Sequence, residues 1–364
     1  MKIIRTAVLL SALVLTCSAV SCEEYVESSE SRKSKGILQS ITTTEAVSET
    51  ESESESESTS ETESNTEESS EPASVSSFIN DTTPEPAMWK VTDPATGNSI
   101  NLIGTLHILD LNEITIPDYI LEAYDECEGV AVEYDMSDVM SDTTKMQELA
   151  SYLIYTDGSK VTDHISKEAY ENGKKLLEDA NAYNPIYDSY KAGAWLDLIQ
   201  SAASSNVEGV KAAGFEGYFT DKCRADGKEV VNIESLKIQA EALTAYSDDY
   251  ADYLIKNYKV EDVDPETQNE QLKFMYDKWS TGDIDCFVEL FTDNSAVPDD
   301  LKDDQEDFNN KMLFDRNKGM AEKASEYLKE GKQYFFMVGS AHYAGDKGVD
   351  DLLKDMGYEV ERVA

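Results

Sequence analysis

Two strand-like apolar runs in this chain close on the same pattern, Gly-x-x-His. Asn101 to His107 reads Asn-Leu-Ile-Gly-Thr-Leu-His, and Phe336 to His342 reads Phe-Met-Val-Gly-Ser-Ala-His. In each, a glycine lets the backbone turn as it leaves the run, and the imidazole lands just past the carboxyl end. In open α/β sheets that edge is where ligands bind. Histidine is scarce here, three residues in 364, so two in one context point to a shared task.

Other runs read as strands of the same kind. Met88 to Thr92 and Ile100 to Ile103 flank a turn-rich hairpin connection, Asp93 to Asn98. Gly129 to Glu133, Glu229 to Ile233 and Tyr334 to Val338 are short and buried-looking, and Tyr358 to Val363 alternates as a more exposed last strand. Helical patterns lie between them: Pro117 to Cys127, Ser166 to Ala180, Ala192 to Ser201, Phe215 to Asp226, Ile238 to Tyr258, Glu270 to Trp279, Phe308 to Glu330 and Val349 to Met356. The alternation predicts an α/β (α+β) domain with a mixed, mostly buried sheet and flanking helices over 86–364. Residues 137–215 contain no clear strand and read as a helical insertion or cap.

Charge limits the partners. The chain carries a formal −43, and residues 86–364 alone hold 26 bases against 57 acids. A field of that sign repels phosphate backbones and anionic membrane surfaces, so no nucleic acid is expected as a partner. Lys2 and Arg5 ahead of the apolar Thr6 to Val20 make residues 1–22 a secretory signal, too short for a spanning helix. It ends Ala19-Val20-Ser21-Cys22, which resembles a bacterial lipobox with Cys22 lipidated; Cys17 is the rival, and simple secretion the alternative. Residues 23–85 read as a disordered linker, since 11 Glu fall between Glu45 and Glu71 among Ser and Thr. The expected location is the extracellular face of the membrane, reached through the lipid on Cys22. Cys127, Cys223 and Cys286 are odd in number and far apart, which fits small buried residues better than disulfides or ligands.

Two further runs end in carboxylates, at Glu133 and at Glu234, so two His and one or two Glu can meet on one rim. Neutral imidazoles with a carboxylate suit a divalent metal with an open position for water. A histidine base oriented by a glutamate is the metal-free alternative. His164 precedes a helix start and reads as structural. Ser340 lacks the Gly-x-Ser-x-Gly elbow of a serine hydrolase. Arg316 suits either a clamp on a substrate carboxylate or oxyanion, or a buried ion pair.

These motifs together resemble the TraB/GumN family, which includes the eukaryotic Tiki proteins. The resemblance runs from Gly104-Thr105-Leu106-His107 and Val132-Glu133-Tyr134-Asp135 through Ala213 to Phe219 and Gly227-Lys228 to Ser235. It continues with Trp279 to Asp283 and Arg316-Asn317, and ends with Gly339-Ser340-Ala341-His342. Glu216 stands where the family usually has Asp. The resemblance implies a fold related to the erythromycin-esterase and ChaN-like group. It implies His107, His342 and Glu133 around a divalent ion such as Mn2+, Co2+ or Zn2+. Glu234 would orient a ligand or activate water, and Arg316 would be the basic member of the Arg-Asn pair. The expected function is a surface-anchored metal-dependent hydrolase, a peptidase acting on peptide or protein substrates. The alternative is a non-enzymatic binder of a peptide signal or a haem-like ligand.

Overall fold

A computed structural model describes residues 83–107, 115–204, 214–259 and 265–364. The signal segment, Cys22, Ala213 and all of the Glu/Ser tract up to residue 82 lie outside the described residues. The described chain is already docked at Glu85, whose N–H donates to the Ser280 carbonyl at 2.7 Å, between the buried Pro84 and Pro86.

Strands β1 (Met88–Thr92) and β2 (Ser99–Thr105) form the expected hairpin. Its turn is closed by Asp93, whose carboxylate accepts from the Ala95 N–H at 2.8 Å and the Thr96 hydroxyl at 2.9 Å. Gly97 takes the left-handed conformation, φ 77°, that ends the turn. With β3 (Gly129–Val132), β4 (Glu229–Asn232), β5 (Tyr334–Gly339) and β6 (Glu359–Arg362) they make one six-stranded mixed sheet, ordered β4-β3-β5-β2-β1-β6. β4, β3, β5 and β2 run parallel, while β1 is antiparallel to both its neighbours.

All residues of β3 and β5 are buried, as apolar strands covered on both faces should be. β4 departs from the buried strand expected there. It is the sheet's edge, with Glu229 exposed and the other three residues half-buried, because no strand pairs beyond it. β6, at the opposite edge, is the exposed last strand that its alternation predicts.

Helices flank the sheet: α1 (Asp118–Asp125), α2 (Met136–Ser141), α3 (Thr143–Leu153), α4 (Lys167–Asp179), α5 (Ala192–Ser204), α6 (Gly214–Ala225) and α7 (Leu236–Leu243). They continue with α8 (Asp248–Asn257), α9 (Pro265–Ser280), α10 (Asp285–Thr292), α11 (Lys302–Asn309), α12 (Asp315–Glu330) and α13 (Val349–Asp355). Two long predicted helices are broken. The one over 238–258 divides because the Ser247 hydroxyl accepts from the Tyr250 N–H at 3.1 Å, with Asp248 and Asp249 in the first turn of α8. The one over 308–330 is interrupted by a π turn, Asn310–Phe314, that joins α11 to α12. Such turns re-aim the residues that follow them, and here Arg316 follows.

Residues 136–204 hold α2 to α5, with a single isolated bridge between Ile154 and Tyr190. The core lies where Leu102, Val130, Phe335 and Phe336 of the sheet meet the flanking helices, Phe219 of α6 stacking edge-on against Phe335. Trp279 of α9 is buried against Phe215 and donates its indole N–H to the Gly104 carbonyl at 3.0 Å. Cys127 and Cys223 are buried, Cys286 is partly exposed, and all three are free. Among the described residues no helix is long and apolar enough to cross a membrane.

Candidate functional site

Parallel strands place their carboxyl ends on one edge, and four of the sequence candidates sit there. His107 lies two residues past β2, Glu133 one past β3 and Glu234 two past β4, while His342 lies in the 3-10 turn Ser340–Tyr343 after β5. Glu133 is central. Its Oε1 accepts the Gly339 N–H at 2.8 Å and lies 3.7 Å from His107 Nε2 and 3.5 Å from His342 Nε2.

The two Gly-x-x-His motifs interlock. A Cβ on Gly339 would lie 2.8 Å from His107 Nε2, and one on Gly104 would lie 2.9 Å from Ser340 Oγ. Each glycine therefore makes room for a residue of the other motif. Ser340 donates its hydroxyl to the Thr105 carbonyl at 3.0 Å and is buried there as a fastener between the two strand ends.

Behind each imidazole stands an acceptor. His107 Nδ1 is 2.7 Å from Glu216 Oε1, an oxygen that also accepts from the Thr105 hydroxyl. Glu216 reaches the site from the first turn of α6, which approaches so closely that a Cβ on Gly214 would fall 1.7 Å from the His107 carbonyl oxygen. His342 Nδ1 is 2.6 Å from Asn317 Oδ1, and Asn317 donates its own amide N–H to the Lys347 carbonyl at 2.8 Å. Both rings are thereby held as Nδ1–H tautomers when neutral, with the Nε2 lone pair turned towards Glu133. When both rings are neutral, their lone pairs face an anionic oxygen across 3.5 and 3.7 Å, a gap that a divalent cation would close.

Arg316 ties the carboxylates together. Its Nη2 donates to Glu133 Oε2 at 2.6 Å and to Glu234 Oε2 at 2.7 Å, its Nε to Glu234 Oε1 at 2.9 Å, and its Nη1 to the Met312 carbonyl at 3.0 Å. Every guanidinium nitrogen is thus spent on the protein. Gln239 of α7 adds a donor to Glu234 Oε2 at 2.5 Å.

The surroundings set the charges. Burial pushes Glu133 up, but the neighbouring His342, Arg316 and His107 and the Gly339 N–H outweigh it and hold the carboxyl below the usual range. Glu234 is pushed up by burial, against the pull of Arg316. For His107, burial is overcome by the charge and hydrogen bond of Glu216, with Glu133 adding, and its pKa is raised to about 9. His342 is fully enclosed, and burial lowers it to about 3 despite Glu133. Two histidines of identical sequence context are thus chemically unlike: one favours the cation, the other stays neutral.

His164 belongs elsewhere. It stacks on Tyr155 at 3.7 Å and binds Asp248 and Ser159 at 2.8 Å each, bracing the turn before α4 against α8. The residues that read from sequence only as parts of a longer pattern are Glu216, Asn317 and Gln239. Their position behind the rim depends on the packing of α6, α12 and α7 and leaves no local spacing signal.

The donor set has the chemistry that a divalent ion needs: two outward-locked imidazoles and an ionised carboxylate. Both oxygens of that carboxylate are already hydrogen-bonded, and among the described residues no group of three or more His, Cys, Asp or Glu is set to hold a metal ion. Thr105, His107, Glu133, Phe287, Met312 and His342 are among the residues enclosing a cavity of about 60 Å³ at this point.

Comparison with known proteins gives one family and three short or distant relatives. The model of the TraB/PrgY/gumN family matches residues 87–362. The chain is 21% identical over 323 residues to "Metalloprotease TIKI2" of Danio rerio, covering 75% of this chain and 60% of that protein. It is 38% identical over 58 residues to "Metalloprotease TIKI homolog" of Nematostella vectensis, covering 15% of this chain and 12% of that one. The chain therefore spans less than two thirds of the length of the curated relatives it matches. No solved structure matches it.

Proposed function

The chain belongs to the TraB/PrgY/gumN family, and from that premise we propose that it is a metal-dependent hydrolase acting on peptide or protein substrates. One observation carries the reading: two imidazoles, each locked from behind at Nδ1, turn their Nε2 atoms to the same Glu133 oxygen. The names of the relatives, all metalloproteases, support it.

In this reading His107 and His342 hold the ion and Glu133 faces it as the anionic third group. A bound divalent ion supplies Lewis acidity and a water of lowered pKa. Glu133, held ionised well below the usual carboxylate range, is a better ligand than base. Arg316 keeps Glu133 aimed, and Glu234 keeps Arg316 aimed, so that the rim is preorganised through two buried ion pairs. Isothermal titration of the purified chain with Mn2+, Co2+ and Zn2+, alongside peptide turnover, tests the proposal. Binding and turnover that both survive His107→Ala with His342→Ala would overturn it.

The metal-free alternative, His107 as base oriented by Glu216, predicts turnover that resists chelators. A haem-like guest is disfavoured by the cavity of about 60 Å³, against the several hundred Å³ typical of cofactor pockets.

We also propose that the domain works outside the cell, tethered by a lipid on Cys22 through the Glu/Ser linker. The signal-like segment and the Ser21-Cys22 junction support this. Incorporation of labelled fatty acid, lost on Cys22→Ala, is the expected result; an unlabelled wild-type protein would remove the tether.

A further inference from the structure

Besides the strand ends, α7, the π turn and α10 wall the cavity of about 60 Å³ at the histidines, and they are held very unequally. α7 contributes Ala242 and Leu243, and its Gln239 is bonded to Glu234 on the rim. The π turn contributes Met312 and Leu313, and the Met312 carbonyl accepts from Arg316 Nη1 at 3.0 Å. α10 contributes Phe287 and Phe291, and among the described residues it has no polar bond to the rim.

α10 is a surface helix of eight residues with one face turned inward. Phe287 and Phe291 are buried, while Asp285, Glu289 and Thr292 are exposed. Its amino end lacks a side-chain cap. Among the described residues its polar ties to other elements are long: the Gly345 N–H reaches the Asp285 carboxylate at 3.4 Å, and Gln305 Nε2 reaches the Phe291 carbonyl at 3.2 Å. Beyond both ends the chain is pinned. Arg362 Nη2 donates to the Gly282 carbonyl at 2.6 Å, and the Tyr253 hydroxyl donates to the Ala296 carbonyl at 2.9 Å. Between these points lie α10 and the exposed Asp293, Asn294 and Ser295. A short segment with few polar ties and firm ends is the kind that opens locally while the fold stays intact.

Access to the two rings differs. The His107 side chain is 33% exposed, so water or an ion reaches it, whereas His342 is 4% exposed. A cavity of about 60 Å³ cannot seat a peptide in the gap between them. We propose that α10 is a flap that lifts between Gly282 and Ala296, admits a peptide to Glu133 and His342, and closes Phe287 and Phe291 over it. The guest rests on the hydrolase reading above; the motion does not.

The test is alkylation of buried thiols by N-ethylmaleimide in the full chain under native conditions, mapped by mass spectrometry. Phe287→Cys and Phe291→Cys, each with Cys286→Ala, report on the flap. The buried Cys127 and Cys223 report on the core, and Phe335→Cys controls for the loss of a buried ring. Relative to its rate in denaturant, each flap thiol should react roughly tenfold or more faster than the core thiols, at a rate that low urea leaves unchanged. Flap thiols that react no faster than the core, or that speed up with urea as the core does, would overturn the proposal. Hydrogen exchange of the wild type checks it without substitutions: amides of α10 should exchange ahead of those of α7 on the same cavity, and equal protection would also sink the flap. Neither readout involves turnover. Peptide hydrolysis with slow labelling therefore removes the flap and keeps the hydrolase, and fast labelling without hydrolysis under any ion does the opposite.

Discussion

Asn317 holds His342 from behind, its Oδ1 2.6 Å from the ring Nδ1, with its amide nitrogen already donated to the Lys347 carbonyl. That second bond fixes the amide so that its oxygen, which can only accept, faces the ring, and so determines that Nδ1 keeps a proton. Asn317→Asp would place a full negative charge at the same spot and favour the imidazolium. The expected result is a His342 titration moved up from about 3 and an ion affinity lowered roughly 10–100-fold at mildly acidic pH. NMR titration of the imidazole with calorimetry reads both; unchanged values would show that Asn317 does not control the ring.

The histidines impose opposite slopes on stability. His107 is raised from 6.5 to about 9, so in metal-free buffer its contribution is whole below 6.5 and lost as pH climbs through 9. His342 is lowered from 6.5 to about 3, so the unfolded chain gains a proton that the folded one refuses, and stability falls as pH drops from 6.5 towards 3. Thermal melts in chelator should show Glu216→Gln flattening the alkaline limb and leaving the acid limb alone.

Removing the guanidinium would strand two carboxylates. Arg316→Met should cost about 3–5 kcal/mol in denaturant unfolding, the usual cost of breaking a buried pair. Arg316→Lys should recover little, because one ammonium cannot reproduce the fork that spans Glu133 and Glu234.

Two glycine substitutions separate fold from site. Gly214→Ala puts a Cβ 1.7 Å from the His107 carbonyl at a position with φ 39°, and should cost about 1–3 kcal/mol of stability. Gly339→Ala meets the edge of the His107 ring at 2.8 Å and touches Glu133 Oε1 at 3.5 Å, both side-chain atoms. It should fold, and lose ion binding because the ring is pushed aside.

Asp197 in α5 is fully buried, and neither carboxyl oxygen has a hydrogen-bond partner among the described residues. Burial pushes its pKa well above the ordinary value. A carboxyl raised on folding costs stability at neutral pH and less as pH falls. Asp197→Asn should therefore raise the melting temperature at pH 7, with the gain shrinking in acid; a loss at pH 7 would reveal a partner for the charged form.

How much of this was legible in the sequence depended on whether the signal was local. The strand ends at His107 and His342 were readable because an apolar run, a glycine and an imidazole follow one another. So was Glu133, the last residue of its run. The edge position of β4 was not, since Val230 and Val231 look the same whether or not another strand lies alongside. The break at Ser247 was written locally, as Ser followed by two Asp, but the apolar periodicity runs across it and masks it. Glu216 and Asn317 acquire their tasks only when α6 and α12 are packed behind the rim. The family resemblance supplied those residues without supplying their work.

The position of β5 has a consequence for how the protein matures. This strand comes late in the chain, at Tyr334–Gly339, yet lies between β3 and β2 in the middle of the sheet. Until it arrives, β2 and β3 have no partner to join them, and His107 and Glu133 belong to separate halves. Ribosomal synthesis therefore yields no partly built site at an intermediate length. Assembly must wait for contacts spanning more than two hundred positions, such as Thr105 with Ser340, an arrangement that slows folding and ties completion of the candidate site to delivery of nearly the whole domain.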